Sequence, residues 1–473
     1  MAVPHRLREI ENEIDATIEQ MPVWRASKTD VLKGLMRVYR DGVELALIMA
    51  ARFATSGGSL NDLGNALGHE DRIRAGALWA LKWASEYCDV GETRAAPSDD
   101  ELLEVILLGQ IYETFVDALK YANLGLVTVQ VDEANRTISF YEGGPVTRFD
   151  ADIVHHQRIA APMTPHVSLT EDGDHLTSRW TAGDYRCLAS KLSDFAAHEE
   201  NTFLLKAGES EMRIPRPTLV TLVRPDSVPD CLVFHDLLIP TVIGTDLKWK
   251  LVSLLDTPIV RVGDRFCALS SDLKAIARMD DYMLRLAARV VQLKYSTATT
   301  LREERMIGMC RDAFKHSSCS WSFDAHVHLK DPPQEVDVLA KGRTGSVVLQ
   351  LKSTLRPETP WEVYKRNEDI LDGVKHTKSL IDRGVASQGF VMTDGYRGDC
   401  DCWAQALESG IPIATLYDLE VITADPALAV SEVKKRAGIT VTVPDVSASI
   451  LDRAWRLSNW CMRLVDAQPP TDE

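Results

Sequence analysis

No stretch of this 473-residue chain stays apolar for the roughly 18 residues that a membrane-spanning helix needs. The longest candidate, VELALIMAARFA from Val43, falls short and reads as a buried core helix, so no membrane partner is expected. The opening MAVPHRLREIENEID lacks a basic segment followed by an apolar one. No secretory signal is visible in it, and a cytoplasmic location is the expectation. The nine cysteines include no C-x-x-C pair, which favours reduced thiols over a disulfide framework or a zinc ribbon. Cys400 and Cys402 are close together, but only Cys461 follows, and a structural zinc site takes four ligands. Also missing are G-x-x-x-x-G-K-[ST], G-x-G-x-x-G between strand and helix, and G-x-S-x-G, so nothing points to an ATPase, a Rossmann dehydrogenase or an α/β-hydrolase. No internal repeat or low-complexity linker is found. Cations are outnumbered, 53 Lys and Arg against 69 Asp and Glu, for a net charge of −16. That balance opposes non-specific adhesion to nucleic acid, so any such contact must be local.

What is present is globular: 45% hydrophobic and 26% charged residues, in a chain long enough for several domains. Pattern changes suggest a helical N-terminal domain over 1–123, a mixed α/β region of recognition or regulation over 124–296, an α/β domain over 297–425 and a helical extension over 426–473. Leu7, Ile10, Ile14 and Ile18 recur at helical spacing. Ser98 with Glu101 after Pro97 forms a capping box that starts another helix. Hairpins are expected in LVTVQVDEANRTISFYEGG from Leu126 and around Gly263 and Asp264. The adjacent His155 and His156 point apart on a strand and suit no shared ligand.

The third region reads as αβββαβαβ, a three-strand meander followed by crossovers, which predicts a mixed sheet with helices on both faces. The first helix is expected over 301–314 and the strands in SWSFDAHVHL, EVDVLAK, SVVLQLKS, QGFVMT and IPIATLYDL. By alternation Glu335 and Asp337 share one strand face, with Val336 and Val338 on the other. On the next strand Gln350 and Lys352 lie on one face, while Val347, Leu349 and Leu351 point into a core. A simple Asp337–Lys352 salt bridge would explain part of this, but polar ends on otherwise apolar strands call for pairing or an ion.

EVDVLAKGRTGSVVLQLKS resembles the core of the PD-(D/E)XK nuclease superfamily, in the Mrr-type variant with Gln at the acidic position, and the likeness extends over 297–422. It implies a restriction endonuclease-like fold and a Mg²⁺- or Mn²⁺-dependent endonuclease acting on DNA, in a restriction or anti-phage setting. RNA is the alternative substrate. Asp337 is then the metal-binding aspartate, Gln350 a second metal ligand and Lys352 the motif lysine. Glu303, in helical phase with Met306, Ile307, Cys310 and Phe314, is the acidic residue from the first helix, with Glu304 as the other choice. Hard oxygen ligands suit these ions. Gln350 removes one negative charge, so weaker metal binding than in an acidic version is expected.

Lys341, Arg343, Arg356, Lys365, Arg366, Lys375 and Lys378 make the region locally basic and are candidates to line a phosphate-binding groove, against a plain solvated helix face broken by Glu368, Asp369 and Asp372. Trp361 and Tyr364 are candidates for base stacking. The acidic whole implies that the N-terminal region, a homo-oligomer or a partner protein of a defence system delivers the substrate. His326 and His328 in FDAHVHL mimic an amidohydrolase H-x-H signature, but too little chain follows for a barrel of about 250 residues. The rival reading is a non-catalytic nucleic-acid-binding or assembly module with a degenerate nuclease fold.

Overall fold

The computed structural model describes residues 3–56, 60–88, 95–123, 127–141, 169–199, 202–207, 210–215, 219–238, 257–262, 265–269, 273, 276–277, 280–290, 295–330, 333–343, 345–353, 355, 357, 360–394, 396, 398, 400–438 and 453–465. Among these, no helix is long and apolar enough to cross a membrane, and the eight cysteines whose side chains are described are free thiols. His155, His156 and the Gly263–Asp264 turn lie outside the described residues.

In chain order the elements begin with α1 (Val3–Glu19), α2 (Lys28–Ser56), α3 (Leu60–Tyr87) and α4 (Asp99–Asn123). Next come β1 (Thr128–Asp132), β2 (Thr137–Tyr141), α5 (Ala182–Glu199), β3 (Thr202–Ala207), β4 (Ser210–Pro215), β5 (Leu219–Leu222), α6 (Val228–Asp236), β6 (Val260–Val262), β7 (Arg265–Leu269) and α7 (Asp280–Val290). Then follow α8 (Tyr295–His316), β8 (Trp321–Lys330), β9 (Pro333–Gly342), β10 (Gly345–Lys352), α9 (Pro360–Asp382), β11 (Gln388–Thr393), α10 (Cys400–Glu408) and β12 (Ile413–Thr415). The last are α11 (Leu419–Ala424), α12 (Pro426–Gly438), β13 (Arg453–Leu457) and β14 (Trp460–Val465). The protein is thus mixed α/β, and its contacts divide it into two compact units, 1–155 with 177–286 and 444–473, and 156–176 with 287–443.

The first unit is built on α1 to α4. The capping box forms as expected: Glu101 N donates to Ser98 Oγ at 3.3 Å and Ser98 N to Glu101 Oε2 at 2.9 Å, so two amides that the start of α4 would leave unpaired find acceptors. Helices α3 and α4 approach closely where Gly109 meets Gly76: a Cβ on Gly109 would lie 2.5 Å from the Gly76 oxygen. Trp79, Trp83 and Tyr112 pack edge to face beside this crossing. The expected hairpins form as β1–β2 and β6–β7.

Among the described residues of 426–473, the segment expected to be a helical extension, α12 is helical, whereas β13 and β14 pair antiparallel and β14 joins β2 in parallel. The sequence there fits both periods. Ala454, Leu457, Cys461 and Leu464 recur at helical spacing, but burial alternates along β14, with Trp460, Met462 and Leu464 inside. Part of the expected middle region also belongs elsewhere: Leu169 lies in the core of the second unit, where its oxygen accepts from Arg305 Nη1 at 2.6 Å.

The second unit carries the expected αβββαβαβ order from α8 to β12. Its sheet has the order β12-β11-β10-β9-β8, antiparallel through β8, β9 and β10 and parallel through β10, β11 and β12. One core lies on the α8 side, where Met306, Ile307, Cys310 and Phe314 meet Val347, Leu349, Leu351, Phe390 and Met392. A smaller core lies on the α9 side, with Leu380, Val348, Leu339 and Val336.

Alternation breaks at one rung. Val338 and Ala340 face the α8 core while Val336 faces the α9 core, so Val336 and Val338 do not share a face as the sequence suggested. Strand β8 turns over at the same level: Trp321, Phe323 and Ala325 pack toward α8, Val327 and Leu329 toward α9. Between them His326 has φ 51°, and the β8–β9 ladder pairs Ala325 with Val338 and Val327 with Val336 but skips His326 and Asp337. A residue in that left-handed region rotates the chain and interrupts the pleat.

Candidate active site

The same level is where β9 and β10 part. Their ladder runs from Gly342–Gly345 to Val338–Leu349 and stops, while β10 continues beside β11 to Lys352. Leu351 N is thereby left without a strand partner, which would be costly inside a core. Asp337 Oδ2 accepts from it at 2.7 Å and also from Gln350 Nε2 at 2.5 Å. Both side chains are buried, at 6% and 7% exposure. Asp337 Oδ1 makes no hydrogen bond among the described residues, and Gln350 Oε1 is buried with no partner. A buried amide oxygen is rarely left so.

Lys352 is half-buried on the α9 side of the sheet, where Gly373 makes room for it: a Cβ at 373 would lie 3.1 Å from Lys352 Cε. Its ammonium makes no hydrogen bond or ion pair among the described residues, so the simple Asp337–Lys352 salt bridge is not formed. Glu303 is half-buried on α8, and its carboxylate also has no hydrogen bond there. Burial first, and the Asp337 charge second, push its pKa up, opposed by Lys352 and His326. Burial likewise raises Asp337, against the Leu351 N–H bond and Lys352. Two carboxylates whose charged forms burial disfavours, with the unpartnered Gln350 oxygen, make a set of hard donors that a divalent cation would satisfy. The set contains an amide, so it is not a group of three His, Cys, Asp or Glu; no such group that could hold a metal occurs among the described residues.

Glu304 makes no contact with Asp337 or Gln350 among the described residues. It is exposed and meets His326 Nε2 at 3.3 Å, while His326 Nδ1 lies 3.1 Å from Glu335 Oε1. Sequence reasoning missed the pair that anchors α8 here. Arg302 Nη2 meets Asp394 Oδ2 at 2.8 Å with both side chains buried, and Ser353 Oγ donates to the same oxygen at 2.9 Å. The ends of β10 and β11 are thus tied to the residue preceding Glu303. The available signal was Arg302 standing four residues before Met306, on the core stripe of α8, where a cation needs a partner.

The basic residues divide. Lys375 pairs with Asp372 at 3.0 Å, Lys378 with Asp382 at 3.5 Å, Lys365 with Glu368 at 2.6 Å and Arg366 with Asp369 at 3.3 Å, so α9 largely neutralises itself. Lys341 and Arg343 are exposed at the β9–β10 turn and carry no ion pair among the described residues. Lys341 stands four residues from Asp337, about 13 Å along a strand. Arg356 and the side chain of Trp361 lie outside the described residues, and Tyr364 is half-buried with Lys365 Nζ 5.5 Å from its ring centre. His326 and His328 belong to the edge strand of an open five-stranded sheet, not to a barrel. Comparison with protein-family models, curated proteins and solved structures finds no match to the chain.

Proposed function

We propose that the protein is a metal-dependent nuclease of the PD-(D/E)XK type, hydrolysing phosphodiester bonds in DNA as an endonuclease of a restriction or anti-phage system. The observation that carries this is the fork between β9 and β10. There Gln350 Oε1 is buried with no partner, both hydrogen bonds to Asp337 among the described residues fall on Oδ2, and Lys352 follows two residues after Gln350 on the same strand. The αβββαβαβ order around it is in keeping with a restriction endonuclease-like fold.

In this reading Asp337, Gln350 and Glu303 hold Mg²⁺ or Mn²⁺, which when bound neutralises charge developing on the phosphoryl oxygens and makes water a better nucleophile. The rest is done by the chain. Leu351 N and Gln350 Nε2 fix Asp337 Oδ2, which leaves Oδ1 as the oxygen turned to the cation. Lys352, which has no hydrogen bond or ion pair among the described residues, keeps its N–H donors for the attacking water and for charge in the transition state. Arg302 and Asp394 fix the turn of α8 that carries Glu303. Lys341 and Arg343 supply phosphate contacts along the flanking duplex.

The 2.5 Å bond between Gln350 and Asp337 favours a second reading, a non-catalytic binding or assembly module, because it satisfies part of the aspartate internally. Cleavage of supercoiled plasmid, linear DNA and RNA with Mg²⁺ or Mn²⁺ separates the two. Cutting of DNA by the parent, lost in Lys352→Ala and in Asp337→Ala, is the expected result. Cutting of RNA alone would make the protein an RNA-cleaving effector, and equal cutting by parent and variants would remove these residues from the site.

A further inference from the structure

The rung opposite Asp337 contains a feature that hydrolysis by Asp337, Gln350 and Lys352 does not call for. His326 occupies the left-handed region at φ 51° within a strand, where a side chain bearing a Cβ is disfavoured and glycine would sit with less penalty. Strain of this kind persists where surrounding contacts hold it in place. The contacts are visible. The turn-over of β8 leaves the ring partly exposed, with Nδ1 3.1 Å from Glu335 Oε1 and Nε2 3.3 Å from Glu304 Oε1.

The two carboxylates come from different elements. Glu335 precedes Asp337 by two residues on β9, and Glu304 directly follows Glu303 on α8. A neutral imidazole can donate from one nitrogen only, so carboxylates at both nitrogens are matched by the imidazolium. Glu335, followed by Glu304 and Asp337, raises the pKa of His326 and favours that form. The ring also acts on the site beyond its own bonds, since its charge opposes the rise in pKa at both Glu303 and Asp337.

We propose that His326 is a positioning residue that ties α8 to β9 through Glu304 and Glu335 and so holds Glu303 beside Asp337 as one cation-binding pair. This rests on the metal-dependent reading above. The backbone strain at His326 is retained because the geometry it creates aims one ring at two elements at once, which a regular strand residue could not do.

The test is calorimetric titration of Mn²⁺ into the full-length protein without nucleic acid, with thermal melting in parallel, for the parent, His326→Gly, His326→Asn and Asp337→Ala. Glycine adopts the left-handed backbone freely and asparagine tolerates it, which offsets the loss of two largely exposed ion pairs, so both variants should melt close to the parent. Both should bind Mn²⁺ about tenfold or more weakly, as expected when a group that orients metal ligands is removed. Glu304→Gln should weaken binding in the same direction, and adding it to His326→Gly should add little, because both changes break one tie. If His326→Gly binds Mn²⁺ like the parent while Asp337→Ala has lost binding, the positioning role is wrong and the metal site stands. If parent and Asp337→Ala bind alike, the metal reading fails and this role falls with it. Lower melting and weaker binding together in both histidine variants would mark a purely structural residue and also overturn the proposal.

Discussion

Gln350→Glu tests the fork directly, because it changes one atom at its most crowded point. In the parent the amide donates to Asp337 Oδ2 at 2.5 Å; in the variant two carboxylate oxygens would meet there. Both cannot stay ionised in a buried site, so the pair takes up one proton. Protonating a glutamate of ordinary pKa near 4.3 at pH 7 costs about 3–4 kcal/mol, which is the expected loss of stability in chelator. The gap should narrow by about 1.4 kcal/mol for each pH unit lowered, since the raised pKa is a debt that acid cancels. A divalent cation replaces the proton, so Mn²⁺ should restore more stability to the variant than to the parent; saturation at 100 times Kd is worth about 2.7 kcal/mol. Urea unfolding of both proteins at pH 5 and pH 7, with chelator and with Mn²⁺, reads all of this. A gap that neither pH nor Mn²⁺ alters would refute the placement of Gln350 against Asp337 and a cation.

Two further outcomes follow from the same geometry. Gly373→Ala should gain up to about 1 kcal/mol of helix stability, a rise in melting temperature of about 2–4 °C. The new Cβ, 3.1 Å from Lys352 Cε and 3.3 Å from Val391 Cγ1, should displace the lysine and lower kcat about tenfold while Mn²⁺ affinity holds; unchanged kcat would show that Gly373 does not set the position of Lys352. The raised pKa values of Asp337 and Glu303 carry a sign as well. Their contribution to stability is complete below the ordinary values of 3.8 and 4.5 and is lost as pH rises through the raised ones. Metal-free protein should therefore lose stability with rising pH across that window, and Asp337→Asn, which keeps an acceptor for Leu351 N, should flatten the profile measured by denaturant unfolding.

The local grammar of the second unit was legible. Period-two alternation marked β9 and β10, helical phase put Met306, Ile307, Cys310 and Phe314 on the core side of α8, and the order of elements followed from the turns. Asp337, Gln350, Glu303 and Lys352 were brought into one field because neighbouring strands and the preceding helix meet there. The turn-over at His326 was not legible, since it depends on a left-handed backbone at a residue that is not glycine. Arg302 and Asp394 pair across 92 positions of sequence, and no periodicity links such partners. The strands at 453–465 were hidden by apolar spacing that serves helix and strand alike. On α9 the acidic residues interspersed among the lysines were visible in the sequence, and they form short-range ion pairs with Lys365, Arg366, Lys375 and Lys378.

The parallel pairing of β14 with β2 means that the sheet of the first unit is completed only by its last segment, 444–473. Met462 lies beside Ile138 and Leu464 beside Phe140, so the inner strand of that sheet arrives only after 156–176 and 287–443 have already been synthesised. Joining segments about 320 residues apart costs about 4 kcal/mol more in chain entropy than closing a short hairpin such as β1–β2. If the second unit collapses first, it shortens that span by bringing its own ends into a compact body. Order of assembly is then written into connectivity: all of the second unit is synthesised before β14 emerges, and the sheet of the first unit closes last. A truncation before Trp460 would leave the second unit complete and the four-stranded sheet of the first without its third strand, with an exposed β2 edge open to aggregation and proteolysis.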